Sequence, residues 1–197
     1  MNVFRIYLRG ELGKLKHDGD AALFLNRVSS DIRRRCGLPD SVPELTRRLN
    51  RQSAVDAFVS GLSNENLRDL AQSCSRDWRN NDVFRTLQNL SPWCEADVPV
   101  AAVRLQQAEK DRLGDLFREN GYELVRVASD RRILDSEPYC YCKPGEPVLF
   151  PTCLAKREGN IFRIFDGMHR AIQLVRNGSP SIHVCYSDVG AAKVRDP

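Results

Sequence analysis

The hydrophobic spacing of this chain changes once, at Ser91-Pro92, and that change sets its architecture. Before it, apolar residues recur every three or four positions between clear stop signals, the pattern of amphipathic helices. After it, short β-prone runs alternate with helical stretches, as strands and helices sharing one core do. The expected fold class is α+β, with a helical domain over residues 1–92 and a mixed α/β domain over 93–197.

In the first half, Ala22, Leu25, Val28 and Ile32 share one helical face, and Gly37 with Pro39 ends that segment. Pro43 and Glu44 open a second helix through Leu45 and Leu49 towards Val55, Phe58 and Val59, closed by Gly61. Ser63 reads as an N-cap with Asn66 in the capping-box position, ahead of Leu67, Leu70 and Cys74. A last helix carries Trp78, Val83, Phe84, Leu87 and Leu90. In the second half, Val98–Val103 and Glu123–Val127 read as strands. They flank a helix from about Leu105 to Glu119 that stops at Gly121. Val148–Phe150 begins a further strand after a Pro- and Gly-rich tract. Ile161–Phe165 is a compact β run, Ala171–Val175 a helix ended by Gly178, and Ile182, Val184 and Tyr186 alternate as a final strand.

No window approaches the roughly 18 apolar residues that a membrane span needs, and the opening MNVFRIYLRGELGKLK has too short an apolar run for a secretory signal. The expected location is therefore the cytoplasm. The seven cysteines are odd in number and lack the paired spacing of a disulfide framework, so reduced thiols are expected. Cys140 and Cys142 are half of a metal site at most, with no second pair of Cys or His at zinc spacing. GELGK at Gly10–Lys14 lacks the spacing and the terminal Ser or Thr of a P-loop. His17 and His183 have no motif partners.

The whole excess of basic over acidic residues lies in the first 92 positions of a chain whose formal charge is +4. It gathers at Arg33, Arg34 and Arg35 and at Arg47 and Arg48. Two readings stand: a solvated helix face, or a patch that neutralises nucleic-acid phosphates.

One segment carries chemistry. FDGMHR, from Phe165 to Arg170, falls where a strand turns into a helix, and a helix start presents unsatisfied backbone N–H groups and partial positive charge to an anion. Gly167 lets the chain turn and a ligand approach, and His169 and Arg170 add donors, Arg with bidentate geometry for phosphate. Asp166 is placed to bind a magnesium ion or to orient the arginine. The plainer alternative is a capped helix with Asp166 satisfying its donors and His169 and Arg170 at the surface.

The stretch I-x-x-F-D-G-M-H-R-A-I-Q-L-V-x-x-G-x-x-x-I-x-V resembles the D-G-x-H-R and G-E-R-R segments of the ParB/sulfiredoxin superfamily. Residues 95–190 can be laid onto the family order, with specific matches in the C-terminal third. The resemblance implies a nucleotide-binding fold, with members that hydrolyse CTP in DNA partition, reduce sulfinic acids or phosphorylate free serine. Plasmid fertility-inhibition proteins of the Osa type, which have ATPase and nuclease activity, also belong to it. Sulfiredoxins place a catalytic cysteine where this chain has Met168, which has no thiol for a sulfinate adduct, so that chemistry is not expected. Partition proteins have a Glu-Arg-Arg version and a helix-turn-helix after the core, whereas this sequence stops at Pro197.

The resemblance thus implies ATP, or CTP, with Mg2+ as cofactors. Asp166, Gly167, Met168, His169 and Arg170 would hold the nucleotide, Asp166 the metal, and His169 would take part in catalysis. Glu109 and Asp111 are the candidates for positioning a nucleophile, because serine-kinase members use an acidic residue in that early region. AEKDRLGD also reads as an ordinary charged helix. The expected function is nucleoside-triphosphate hydrolysis coupled to a nucleic-acid or protein partner, with nuclease output among the outcomes. The alternatives are a free-serine-type small-molecule kinase and a non-catalytic, ligand-gated interaction protein.

Overall fold

Helical spacing before Ser91 resolves into seven helices in a computed structural model that describes residues 2–15, 18–75, 81–90, 92–106, 112–136, 139–140 and 142–188. The chain divides into two compact units, residues 2–88 and residues from 89 onward. No helix among the described residues is long and apolar enough to cross a membrane.

The first unit contains α1 (Val3–Leu12), α2 (Asp18–Arg27), α3 (Ser30–Cys36), α4 (Val42–Arg48), α5 (Gln52–Gly61), α6 (Asn64–Cys74) and α7 (Asn81–Asn89). Its core is leucine-rich, with Leu8, Leu12, Leu45, Leu49, Leu67 and Leu70 fully buried, and α1 packs on α5 and α6. The expected first helix is two, because the Ser29 hydroxyl accepts from Ile32 N at 3.4 Å and starts α3 afresh. Val28 is buried as expected, whereas Ala21 and Phe24 are buried in place of Ala22 and Leu25, one position off. The second expected helix also divides, at Leu49–Arg51. Ser63 caps α6 through Asn66 N at 3.2 Å, as its sequence position indicated. GELGK lies within and just beyond α1.

The second unit is a mixed five-stranded sheet in the order β1-β5-β3-β4-β2: β1 (Cys94–Pro99), β2 (Val103–Leu105), β3 (Cys153–Glu158), β4 (Ile161–Asp166) and β5 (Ser181–Asp188). The helices α8 (Arg112–Glu119), α9 (Leu124–Val127), α10 (Arg131–Leu134) and α11 (Met168–Arg176) complete it. Strands β2 and β4 run parallel, with Leu105 opposite Ile164, and β4 is antiparallel to β3. Leu116, Phe117, Leu124, Val127 and Ile172 bury against Val103, Leu105, Ala155, Ile164 and Val184, so helices cover that sheet face.

Four expectations are corrected here. Val98–Val103 is not one strand: β1 ends at Pro99, and a 3-10 turn over Val100–Ala102 leads into β2. Proline has no N–H to continue a ladder. Glu123–Val127 is the short helix α9 with Glu123 as its N-cap, joined to the sheet by a single bridge from Glu123 to Arg104. Leu124 and Val127 are both buried three positions apart, which is helical spacing, while Val125 is exposed. Val148–Phe150 forms no strand, since Phe150 turns through φ +53° and β3 starts at Cys153. Leu105 belongs to β2, so the following helix starts later, and among described residues it begins at Arg112.

Candidate phosphate-binding turn

Gly167 joins the end of β4 to the start of α11 with φ +90°, a left-handed conformation that side chains rarely adopt. With no side-chain cap at this residue, the opening amides of α11 lack the oxygen that a Ser, Thr or Asp would supply. The strand end itself is fixed on both sides. Gln106 N donates to Ile164 O at 2.8 Å, extending the β2–β4 ladder, and Leu154 of β3 sits opposite Asp166. The turn therefore opens beyond the carboxyl ends of two parallel strands, a position where α/β sheets take ligands.

Arg170 folds back onto this turn. Its Nη2 donates to Asp166 Oδ2 at 2.9 Å and its Nη1 to Phe150 O at 3.1 Å, with both partners of the ion pair largely buried. The guanidinium lies so close over Gly167 that a Cβ there would stand 2.8 Å from Nη2 and 3.0 Å from Nε. The dihedral favours glycine here, and any Cβ would also push the Arg170 guanidinium aside. Asp166 consequently orients Arg170, one of the two roles its position offered, and does not cap the helix. His169, in the first turn of α11, is exposed and stacks on the buried Tyr139 ring at 4.5 Å and 23°; Tyr139 in turn contacts Phe117 at 5.7 Å. Met168 is partly buried against the core.

Sequence reasoning missed the brace behind the turn. Cys153 Sγ lies 3.5 Å from both Gly167 O and Pro151 O, which share its single S–H, and Cys142 Sγ reaches His169 O at 3.7 Å. Burial pushes the Cys153 thiol up to about 12, against the pull of Arg170, and raises the Cys142 thiol too. Both are neutral donors to backbone and poor nucleophiles. Gln173 Nε2 donates to Lys143 O at 2.5 Å and Asn177 Nδ2 to Glu146 O at 2.8 Å, fastening the tract between Tyr139 and Phe150 along α11. Gln106 was missed as well: its Oε1 is buried without a hydrogen-bond partner at the end of β2. No local motif marks these residues: Gln106 and Cys153 arrive through the register of β2, β3 and β4, and Cys142 through the tract fastened along α11.

Glu109 and Asp111 lie outside the described residues, as do His17 and Trp78. Among the described residues no group of three or more His, Cys, Asp or Glu side chains is placed to hold a metal. His183 pairs across β1 and β5 with Asp97, Nδ1 to Oδ1 at 3.0 Å.

The basic cluster of the first unit is heavily engaged within the protein. Arg33 Nε donates to Asp40 at 2.7 Å and its Nη1 to the carbonyls of Leu25 and Val28, a staple across the α2–α3 break. Arg34 pairs with Asp31 at 2.8 Å, and Arg35 with Asp69 at 2.7 Å and Asp31 at 3.2 Å. Arg48 donates to Gly37 O and lies over the Phe58 ring. Arg47 is exposed.

Comparisons of the chain with family models, curated proteins and solved structures give no match.

Proposed function

We propose that the second unit binds a nucleoside triphosphate, ATP or CTP, through the Gly167 turn, and that the chain hydrolyses it in concert with a nucleic-acid or protein partner. The observation that carries this reading is the uncapped start of α11 behind a left-handed glycine, with an oriented guanidinium directly over it. Backbone amides and a fixed arginine are the donor set that phosphate oxygens need. The resemblance of the FDGMHR segment to the ParB/sulfiredoxin superfamily supports a nucleotide over a simpler anion. The amides of Met168 and His169 would contact phosphate oxygens, and the Arg170 guanidinium would meet their charge.

Magnesium fits such a site only as a companion of the nucleotide, since Mg2+ takes most of its ligands from phosphates and water; its proposed protein ligand is Asp166. When bound, the ion would neutralise phosphate charge. Glu109 or Asp111 is the proposed group that positions the attacking water, by the resemblance alone. The basic residues of the first unit, Arg47 foremost, are the proposed contacts to nucleic acid.

Titration with ATP and CTP in the presence of Mg2+, followed by phosphate release with and without DNA, tests the reading. Arg170→Ala should weaken nucleotide binding by about one to two orders of magnitude through loss of a charge-assisted contact. A folded Arg170→Ala chain that binds nucleotide as tightly as the parent would overturn the phosphate assignment.

A further inference from the structure

Every other described arginine side chain of the second unit, from Arg104 to Arg170, sits against a carboxylate. Arg131 and Arg176 do not, and they line the same cavity, about 400 Å3 in volume. Leu134 and Ala128 supply its apolar wall, and Ser129 and Asp135 complete the lining. Two arginines and one carboxylate, Asp135, line this hollow, so it carries net positive charge that an anion can neutralise.

Both arginines stand on fixed backbone. Arg131 opens α10, whose N-cap Asp130 accepts from Arg132 N at 3.0 Å and from Asn120 Nδ2 at 2.8 Å. Asp135 N closes the same turn onto Arg131 O at 2.8 Å, and Ile133 and Leu134 anchor it in the core. Arg176 is the last residue of α11, and Asn177 beyond it is tied to Gly145 and Glu146. The cavity adjoins the far end of α11 from Gly167, about 13 Å along a nine-residue helix at 1.5 Å per residue. It is separate from the proposed nucleotide site and does not rest on that reading.

We infer that this cavity binds a hydroxylated phosphate monoester, a small sugar- or polyol-phosphate. Two guanidinium charges match a phosphate that carries close to two negative charges at neutral pH, and each offers bidentate geometry to its oxygens. Asp135 disfavours a second anionic group on the ligand and accepts hydrogen bonds from hydroxyls, as Ser129 does. Ala128 and Leu134 cover the C–H face of a short carbon skeleton. The volume falls in the range of small-molecule sites, roughly 300–1,000 Å3.

Isothermal titration of the full chain with glycerol 3-phosphate, inorganic phosphate, glycerol and malate tests the inference. Glycerol 3-phosphate should bind more tightly than inorganic phosphate, and glycerol should not bind. Arg131→Gln and Arg176→Gln should each weaken binding by about tenfold or more, with thermal unfolding of the free chain unchanged. Asp135→Asn should narrow the preference for glycerol 3-phosphate over inorganic phosphate. The inference is overturned by no binding at millimolar glycerol 3-phosphate, by unchanged binding in the Arg131→Gln/Arg176→Gln chain, or by malate binding as tightly as the phosphate ester.

Discussion

Replacing Gly167 with alanine tests the turn most directly, because its cost has two separable parts. A left-handed L residue costs about 1–2 kcal/mol. The new Cβ also meets Nη2, Nε and Cζ of Arg170 at 2.8, 3.0 and 3.1 Å, so the planar group must move as a whole and cannot merely swing its tip away. Moving it sacrifices the 2.9 Å bond to Asp166 or the 3.1 Å bond to Phe150 O, and a hydrogen bond involving a charged group is worth about 1.5–3 kcal/mol. Alanine recovers about 0.4–1 kcal/mol by restricting the unfolded chain. The expected net loss is about 2–4 kcal/mol. Trp93 packs 6.4 Å from Phe165 on β4, so urea unfolding followed by Trp93 fluorescence in a Trp78→Phe background reads the unit that holds the turn. In an Arg170→Ala background only the dihedral penalty remains, and the Gly167→Ala cost should shrink by about 1.5–3 kcal/mol, the coupling of the cycle. An equal cost in both backgrounds would show that the guanidinium does not rest on the glycine, and the geometry of the site would fall with it.

Three further outcomes follow from named contacts. The Arg132 guanidinium, with help from Asn120 and the Arg132 amide, holds the Asp130 carboxyl at about 2, below its ordinary value near 3.8. Its contribution is therefore complete above the unfolded value and is lost as pH falls towards 2. Asp130→Asn should lower stability at pH 7 and flatten its decline between pH 4 and pH 2 in acid titrations of the urea midpoint; an unchanged acid slope would contradict the assignment. Cys94 is exposed whereas Cys36, Cys74, Cys142, Cys153 and Cys185 are buried, so limited iodoacetamide followed by peptide mass analysis should label Cys94 well before any of those five, and early labelling of Cys153 would refute its place in the brace. For the proposed nucleic-acid contact, Arg47→Gln should reduce the log-log salt slope of duplex binding by about 0.9, while Arg33→Gln should chiefly lower stability; identical slopes would exclude Arg47 as a phosphate contact.

The sequence read the ends of helices better than the ends of strands, and the reason is local chemistry. Ser63 names its own cap, and Gly37, at φ +65°, ends α3 with Leu38 N on Arg33 O. The break at Ser29 was present in the same alphabet but was hidden by apolar spacing that runs through it. Strand assignments failed where apolar residues clustered without a partner strand. ELVRV alternates like a strand, yet β2 is only three residues long and pairs with β4, leaving Glu123 a single bridge to Arg104. The FDGMHR turn was legible because all its parts lie within six residues. Its brace was not, since Phe150, Cys142 and Cys153 reach it from 14 to 27 residues away. The basic cluster is the converse case: a run of arginines reveals charge but not the acids at positions 40 and 69 that the fold brings beside it.

The pairing of Arg170 with Asp166 also constrains how a phosphate would use the turn. A guanidinium offers five N–H donors in a fixed plane, and two of them are directed at Asp166 and Phe150 O. A ligand that took Arg170 entirely would leave a largely buried carboxylate without its cation, a cost that a modest phosphate contact does not offset. The favourable arrangement keeps the ion pair intact, so that the guanidinium contributes its positive charge beside the opening amides of α11. Asp166 then sets the orientation of the arginine before any ligand arrives, which lowers the entropy lost on binding. On this logic Asp166→Asn and Arg170→Ala differ in kind. The first keeps the positive charge and loosens its aim, so phosphate affinity falls less than in the second, whereas Arg170→Ala removes the donor and strands the carboxylate together. Measured without Mg2+, so that the proposed metal contact of Asp166 plays no part, equal losses of affinity in the two variants would mean that Asp166 itself touches the phosphate.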